Sequence, residues 1–310
     1  MNKKNLILGI ILAVLILLAW GYEGPFKTWK EEKAKAINLF AGLDMAKVNQ
    51  MEIAQGQRKT GFTKVNGKWK IDGTKDFWLP QTQADQMTAA IDEAKKTDWE
   101  LVSQNKAKQS EFQTDGSGRV IKLIADGKDL AAFAIGKMGP DYKSTYLSMN
   151  GSEKTFLVKA SLVQAFGEED WRDKAIFTTD KDKVAKLRIH EAGVDYIIEK
   201  KTSDKGVVTW NIAKPKASVV KTDKVDAVLG VLASLSAAEV PDQTFKGTGL
   251  DKNSVVVEAM GDGIDNTLMI GAAKKLNGQD LVFVKRGNSD NIYLITKDQS
   301  SKLNRAFLGI

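Results

Sequence analysis

Apolar and polar residues alternate in short runs along most of this chain. KVNQMEI (47–53) and KVAKLRI (183–189) both alternate, which predicts strands with one buried and one solvated face. A hairpin follows each. The first turns at Asn66-Gly67, a pair suited to a tight two-residue turn. The second turns around Ser203-Asp204-Lys205-Gly206. Both returning arms carry a tryptophan, Trp69 in GKWKI (67–71) and Trp210 in VTWNI (208–212). Pro80 and Pro215 then end the strand regions, and the apolar period lengthens. Met87, Ala90, Ile91 and Ala94 recur at helical spacing after Thr82; Val225, Val228, Leu229, Leu232 and Leu235 do so after Thr222. Each set predicts one helix with threonine as its N-cap, and with Asp85 or Asp223 near its positive end.

The parallel continues. RVIKLIADGKDLAAFAIG (119–136) matches SVVVEAMGDGIDNTLMIG (254–271) at a shift of 135, each a hairpin with an Asp-Gly turn that ends in Ile-Gly. STYLSMNGSEKTFLVK (144–159) and DLVFVKRGNSDNIYLIT (280–296) follow as further hairpins, and short helices ending Ala-Phe close both copies. Shifts between 135 and 141, held over about 120 residues, mark a duplication. That period is far too long for a solenoid. The expected fold is α+β with two tandem domains, each an antiparallel sheet with one main helix and a short closing helix, in the order ββα-ββββ-α. The repeats span 44–167 and 174–310. Trp69, Trp210, Ile135, Gly136, Ile270 and Gly271 read as structural residues of the repeat cores.

The first 23 residues break the pattern. Lys3 and Lys4 precede an apolar run from Leu6 to Tyr22, close to the length that spans a bilayer as a helix. The lysines predict a cytoplasmic N-terminus, and Trp20 and Tyr22 suit the outer headgroup level. A cleaved signal peptide is the alternative. Ala19-Trp20-Gly21 makes a poor cleavage site, so an uncleaved inner-membrane anchor with the bulk of the chain extracytoplasmic (periplasmic) is expected. Residues 24–43 are either a short amphipathic helix at the membrane surface or a stalk packed on the first domain.

Composition removes several chemistries. The chain has no cysteine, so disulfides, Cys-built zinc sites, iron–sulfur clusters and thiol catalysis are excluded. Its net charge is +7, from 40 lysines and 6 arginines against 39 acidic residues. Nucleic-acid recognition leans on arginine's planar fork, so the lysines read as solvated surface and no nucleic-acid partner is expected. The single histidine, His190, cannot build a multi-histidine metal site and reads as structural or solvent-facing. DGSG (115–118) lacks the Lys-Ser/Thr and helix of a phosphate loop, and GDGID (261–265) lacks EF-hand spacing; both read as turns. Glu168-Glu169-Asp170 reads as a charged linker. No catalytic, cofactor or metal residues are assigned.

WRDKAIF (171–177), a KVxxLRI strand, the Trp-x-Ile hairpin, Thr222-Asp223-Lys224-Val225, FKGTGL (245–250) and Ile270-Gly271, behind a leading apolar segment, resemble the family called domain of unknown function 4340. The resemblance covers most of the chain after residue 40 and is clearest in the second copy. In the first copy FQTDGS (112–117) replaces FKGTGL. The resemblance implies a bacterial, membrane-anchored protein often encoded beside an ABC-type ATPase and a permease of the gliding-associated kind. It supplies no catalytic residues. The expectation is a non-enzymatic, extracytoplasmic accessory or scaffold subunit of such a transport complex. Two alternatives stay open: an envelope hydrolase using paired carboxylates, and a lysine-rich binder of acidic glycan or lipid.

Overall fold

A computed structural model of the chain describes residues 11–12, 14–20, 38–252 and 255–310. The chain divides into two compact units, and the division falls between Trp171 and Arg172. Thr74–Trp78, inside the first copy of the repeat, belongs to the second unit. Phe77 is the reason: it is buried and meets the Tyr293 ring edge-on at 5.7 Å, while the Asp76 carbonyl accepts from Asn291 Nδ2 at 2.8 Å.

The first unit holds β1 (Gln50–Gln55), β2 (Arg58–Val65), β3 (Lys68–Ile71), helix α1 (Gln81–Lys96), β4 (Trp99–Ser103), β5 (Arg119–Ala125), β6 (Lys128–Met138), β7 (Thr145–Met149) and β8 (Thr155–Val158). They form one antiparallel sheet in the order β3-β2-β1-β5-β6-β7-β8-β4. The second unit holds β9 (Val184–Glu191), β10 (Val194–Thr202), β11 (Val208–Lys214), β12 (Ser218–Val220), helix α2 (Thr222–Ala233), β13 (Val255–Gly261), β14 (Ile264–Leu276), β15 (Gln279–Arg286) and β16 (Ile292–Thr296). Their order is β12-β11-β10-β9-β13-β14-β15-β16. The fold is α+β as expected, but each sheet has eight strands where the hydrophobic pattern gives six. A three-stranded meander precedes each long helix, and an eighth strand closes an edge. That strand differs between the units: β4 follows the helix and pairs with β8, whereas β12 precedes the helix and pairs with β11.

Alternation decides which face is dry. Met51 pairs with Phe62 and Leu123, and Ile53 with Ile121, all buried. Helix α1 covers this face with Ala84, Met87, Ala90, Ile91 and Ala94. Helix α2 does the same in the second unit with Val225, Val228, Leu229 and Leu232. Burying each large apolar side chain contributes about 1.5–3 kcal/mol. Trp69 and Trp210 lie in these cores. The N-cap expectation is corrected: α1 begins at Gln81 behind Pro80, Thr222 is already helical, and neither helix has a side-chain cap. Proline's fixed φ and missing N–H suit a helix start, so Pro80 stands where threonine was expected. Asn38 satisfies the other end of α1. Its Nδ2 donates to the Lys95 carbonyl at 2.7 Å, with the Ala94 and Thr97 carbonyls at 3.0 Å. Such carbonyls have no partner within the helix. The neighbouring Phe40 is buried edge-on against Trp99 and Phe133.

Among the described residues, the opposite face of each sheet is covered at its β6–β8 or β14–β16 end. There the Ile-Gly pairs carry a backbone constraint. Ile135 and Ile270 point into the cores, and the ladder shifts register just after each. The glycines receive a crossing segment. A Cβ on Gly136 would overlap the Phe112 carbonyl oxygen, and one on Gly271 would overlap that of Thr248. Ala272 N–H donates to the same Thr248 oxygen at 2.7 Å. A glutamine then ties each segment to the last hairpin. Gln109 Nε2 donates to Ser148 Oγ at 2.9 Å and to the Ser152 carbonyl at 2.8 Å. Gln243 Oε1 accepts from Ile292 N–H at 2.8 Å. FQTDGS and FKGTGL, different in sequence, thus do the same job. Under the second one lies an apolar cluster of Leu250, Leu281, Phe283, Ile292 and Leu294.

Gly136→Ala and Gly271→Ala should each destabilise by about 2 kcal/mol or more, the scale of overpacking against a fixed backbone. Gly230, within α2, has open space around its Cα. Gly230→Ala should therefore stabilise by about 0.5–1 kcal/mol. Urea unfolding of the three variants measures the contrast.

Candidate functional site: an ion network on the open face of the second sheet

Cross-strand register builds this site. Asp195 on β10 stands opposite His190 on β9, and Arg188 on β9 stands opposite Glu258 on β13. Val256 stands opposite both His190 and Met269, so all these side chains share the face that α2 leaves uncovered. His190 Nδ1 lies 2.7 Å from Asp195 Oδ1. Arg188 donates to that same oxygen from Nε at 3.1 Å, and to Glu258 Oε1 from its NH1 nitrogen at 2.7 Å. A recess of about 560 Å³ opens beside them, with Asp265, Thr267 and Asn288 on its other walls.

The network is closed on itself. Arg188 is committed to two carboxylates, and its guanidinium pKa is pushed up, first by the hydrogen bond it donates to Glu258 and then by the two negative charges. The His190 hydrogen bond, followed by Arg188, holds the Asp195 carboxyl below the usual carboxylate range. A general acid needs the opposite shift. Asp115 and Asp141 also move down, each held by serine and backbone donors. The arrangement pins three adjacent strands in register, and among the described residues no group of three or more His, Asp or Glu could hold a metal ion.

The residues singled out from the sequence do not converge on this face. Lys3, Lys4 and Tyr22 lie outside the described residues, and Trp20 is helical with its side chain 69% exposed. Trp69, Trp210, Ile135 and Ile270 lie in the two cores. Gly136 and Gly271 lie under the crossing segments. DGSG is a turn closed by Asp115, which accepts from Ser117 N–H and Oγ. The network itself was missed because its members come from three strands. The available signal was the alternation Arg188-x-His190 on β9 facing Asp195 across the Ala192-Gly193 turn. Both turn residues adopt positive φ, at 51° and 78°, and they fix that register.

Arg188→Met should cost the second unit about 1 kcal/mol, and a cycle with Glu258→Gln should show coupling between the two. The β6–β7 loop supplies a pH test. Asp141 accepts from Ser144 Oγ at 2.6 Å and from the Ser144 and Lys143 amides, lowering its pKa from 3.8 to about 2. A depressed carboxyl stabilises above its unfolded value and loses that contribution as pH falls through the folded value. The stability difference between wild type and Asp141→Asn should therefore be flat above pH 4 and shrink towards about pH 2. A difference that stays flat down to pH 2 would contradict the assignment.

No curated protein matches the chain. A solved structure of MrkH, titled a c-di-GMP-dependent transcription regulatory factor, aligns over 87% of both chains at 11% identity. Its TM-score of 0.15 carries no argument about fold or function. The family model for domain of unknown function 4340 (DUF4340) matches residues 69–253, from Trp69 through α1 and into the second unit as far as its crossing segment. That match covers more than half of the chain, and the protein belongs to the DUF4340 family.

Proposed function

We propose that this protein is a non-enzymatic, membrane-anchored, extracytoplasmic accessory or scaffold subunit, of the kind that accompanies an ABC-type export or gliding-associated transport complex. The observation that carries the reading is the apolar run Leu6–Tyr22 behind Lys3 and Lys4, joined to two folded sheets. Among the described residues no helix is long and apolar enough to cross a membrane. The anchor therefore rests on the sequence, and its first residues lie outside the described part. The transport association rests on what the resemblance implies for the family. The second sheet supports a binding role over a reacting one. Its largest ionic cluster is internally paired, and its shifted carboxylate is held ionised, which suits an interaction face.

Alkaline-carbonate extraction of membranes should leave the chain in the pellet. A mild-detergent pull-down of the full-length protein should bring a stoichiometric ATPase–permease pair. Release by carbonate would defeat the anchor. A chain recovered alone would defeat the accessory role.

A further inference from the structure

The stretch from the end of β10 to the start of α2, which includes the β12 edge of the second sheet, carries most of the chain's excess charge. Residues 200–224 hold seven lysines and two aspartates, a balance of +5 within a chain whose total is +7. No arginine lies in this stretch. Valines project among the lysines. Val219 on β12 is 78% exposed and Val207, at the β10–β11 turn, is 59% exposed, with Val208 beside it. A groove of about 630 Å³ runs along the edge, with Ile212, Val220 and Phe307 as apolar lining and Lys216, Lys221 and Lys224 around it. Lys224 sits 4.3 Å over the Phe307 ring. Among the described residues no carboxylate pairs with Lys214, Lys216 or Lys221.

We propose that this edge docks on the headgroup surface of an anionic phospholipid bilayer, with Val207 and Val219 entering the interface and the lysines held at the phosphates. Charge complementarity selects an anionic partner. The absence of arginine selects a diffuse surface over a shaped one. Guanidinium forks recognise defined carboxylates and phosphates, whereas lysine acts as a hydrated point charge that follows a surface potential. The exposed valines select lipid over a soluble polyanion, because apolar side chains gain by leaving water at an interface and gain nothing from a hydrated glycan. The contact lies far along the chain from the proposed N-terminal anchor and does not depend on it.

The chain lacks cysteine, so Val219→Cys gives a single labelling position for an environment-sensitive fluorophore. The full-length protein is placed in nanodiscs of neutral phosphatidylcholine, or with about 30% phosphatidylglycerol. The label should be quenched by lipid-borne quenchers at least about threefold more on the anionic discs, and raising salt to about 0.5 M should abolish the difference. Lys216→Gln with Lys221→Gln, both at exposed positions, should abolish it while leaving the melting temperature unchanged. Hydrogen exchange over residues 207–221 gives a label-free reading, with protection gained only on anionic discs. Equal quenching and equal exchange on both compositions would overturn the proposal. So would shielding that appears only with an added acidic polysaccharide or protein. Release of the chain by carbonate would defeat the anchor alone, because anionic vesicles would still protect residues 207–221.

Discussion

Each sheet depends on a backbone contact that only glycine allows. The Phe112 and Thr248 carbonyls rest on Gly136 and Gly271, where any side chain would collide with them. The ladders shift register beside both glycines, and such irregularities bend a strand and increase its local twist. That approach lets a polar, turn-rich segment lie flat on one end of the sheet. Its buried polar groups still need partners. Gln109 and Gln243 provide them, each reaching back to the last hairpin.

This contact splits the second face of each sheet in two. Over β14–β16 the crossing segment seals an apolar layer around Phe283 and Leu294. Over β9, β10 and β13 nothing from the described part of the unit covers the strands, and charge takes over through Arg188, Asp195, His190 and Glu258. The first sheet repeats the division. Gln109 and Thr114 sit over β7 and β8, while Glu52 and Lys59, at 2.9 Å, and Lys122 and Asp129, at 3.0 Å, pair in the open. Exposed pairs like these add little stability, but they keep a broad sheet face soluble and available. On the second sheet the paired charges border the recess beside Asp265, Thr267 and Asn288.

Much of this was legible in the chain. Period-two alternation gave the strands of the meanders, Asn66-Gly67 gave its turn, with φ of 49° and 81°, and the apolar faces of α1 and α2 were read except that Ala84 was passed over and Leu235, expected on the second helix, lies beyond its end at Ala233. The Ile-Gly pairs stood out by their repetition, although the sequence did not say why glycine was there. That reason lies in the crossing segments, whose sequences differ. The extra edge strands β4 and β12 were illegible because three to five residues, such as SVV of β12, carry too little pattern without a hairpin turn beside them. Phe77 also escaped notice. Local spacing places it in the first copy, but its packing partner Tyr293 lies more than two hundred residues later. The ion network escaped for the same reason, since Arg188 and Glu258 meet only through strand pairing.

The division of the second face into a sealed and an open half is tested most directly by hydrogen exchange on the native full-length chain. The Ala272 amide, bonded to the Thr248 carbonyl, and the Ile292 amide, bonded to Gln243, should exchange as slowly as the central ladder amides of β9 and β13. Such protection would mean that the crossing segment opens only when the unit unfolds. Exchange of Ala272 and Ile292 at loop-like rates, with β9 and β13 still protected, would contradict the account.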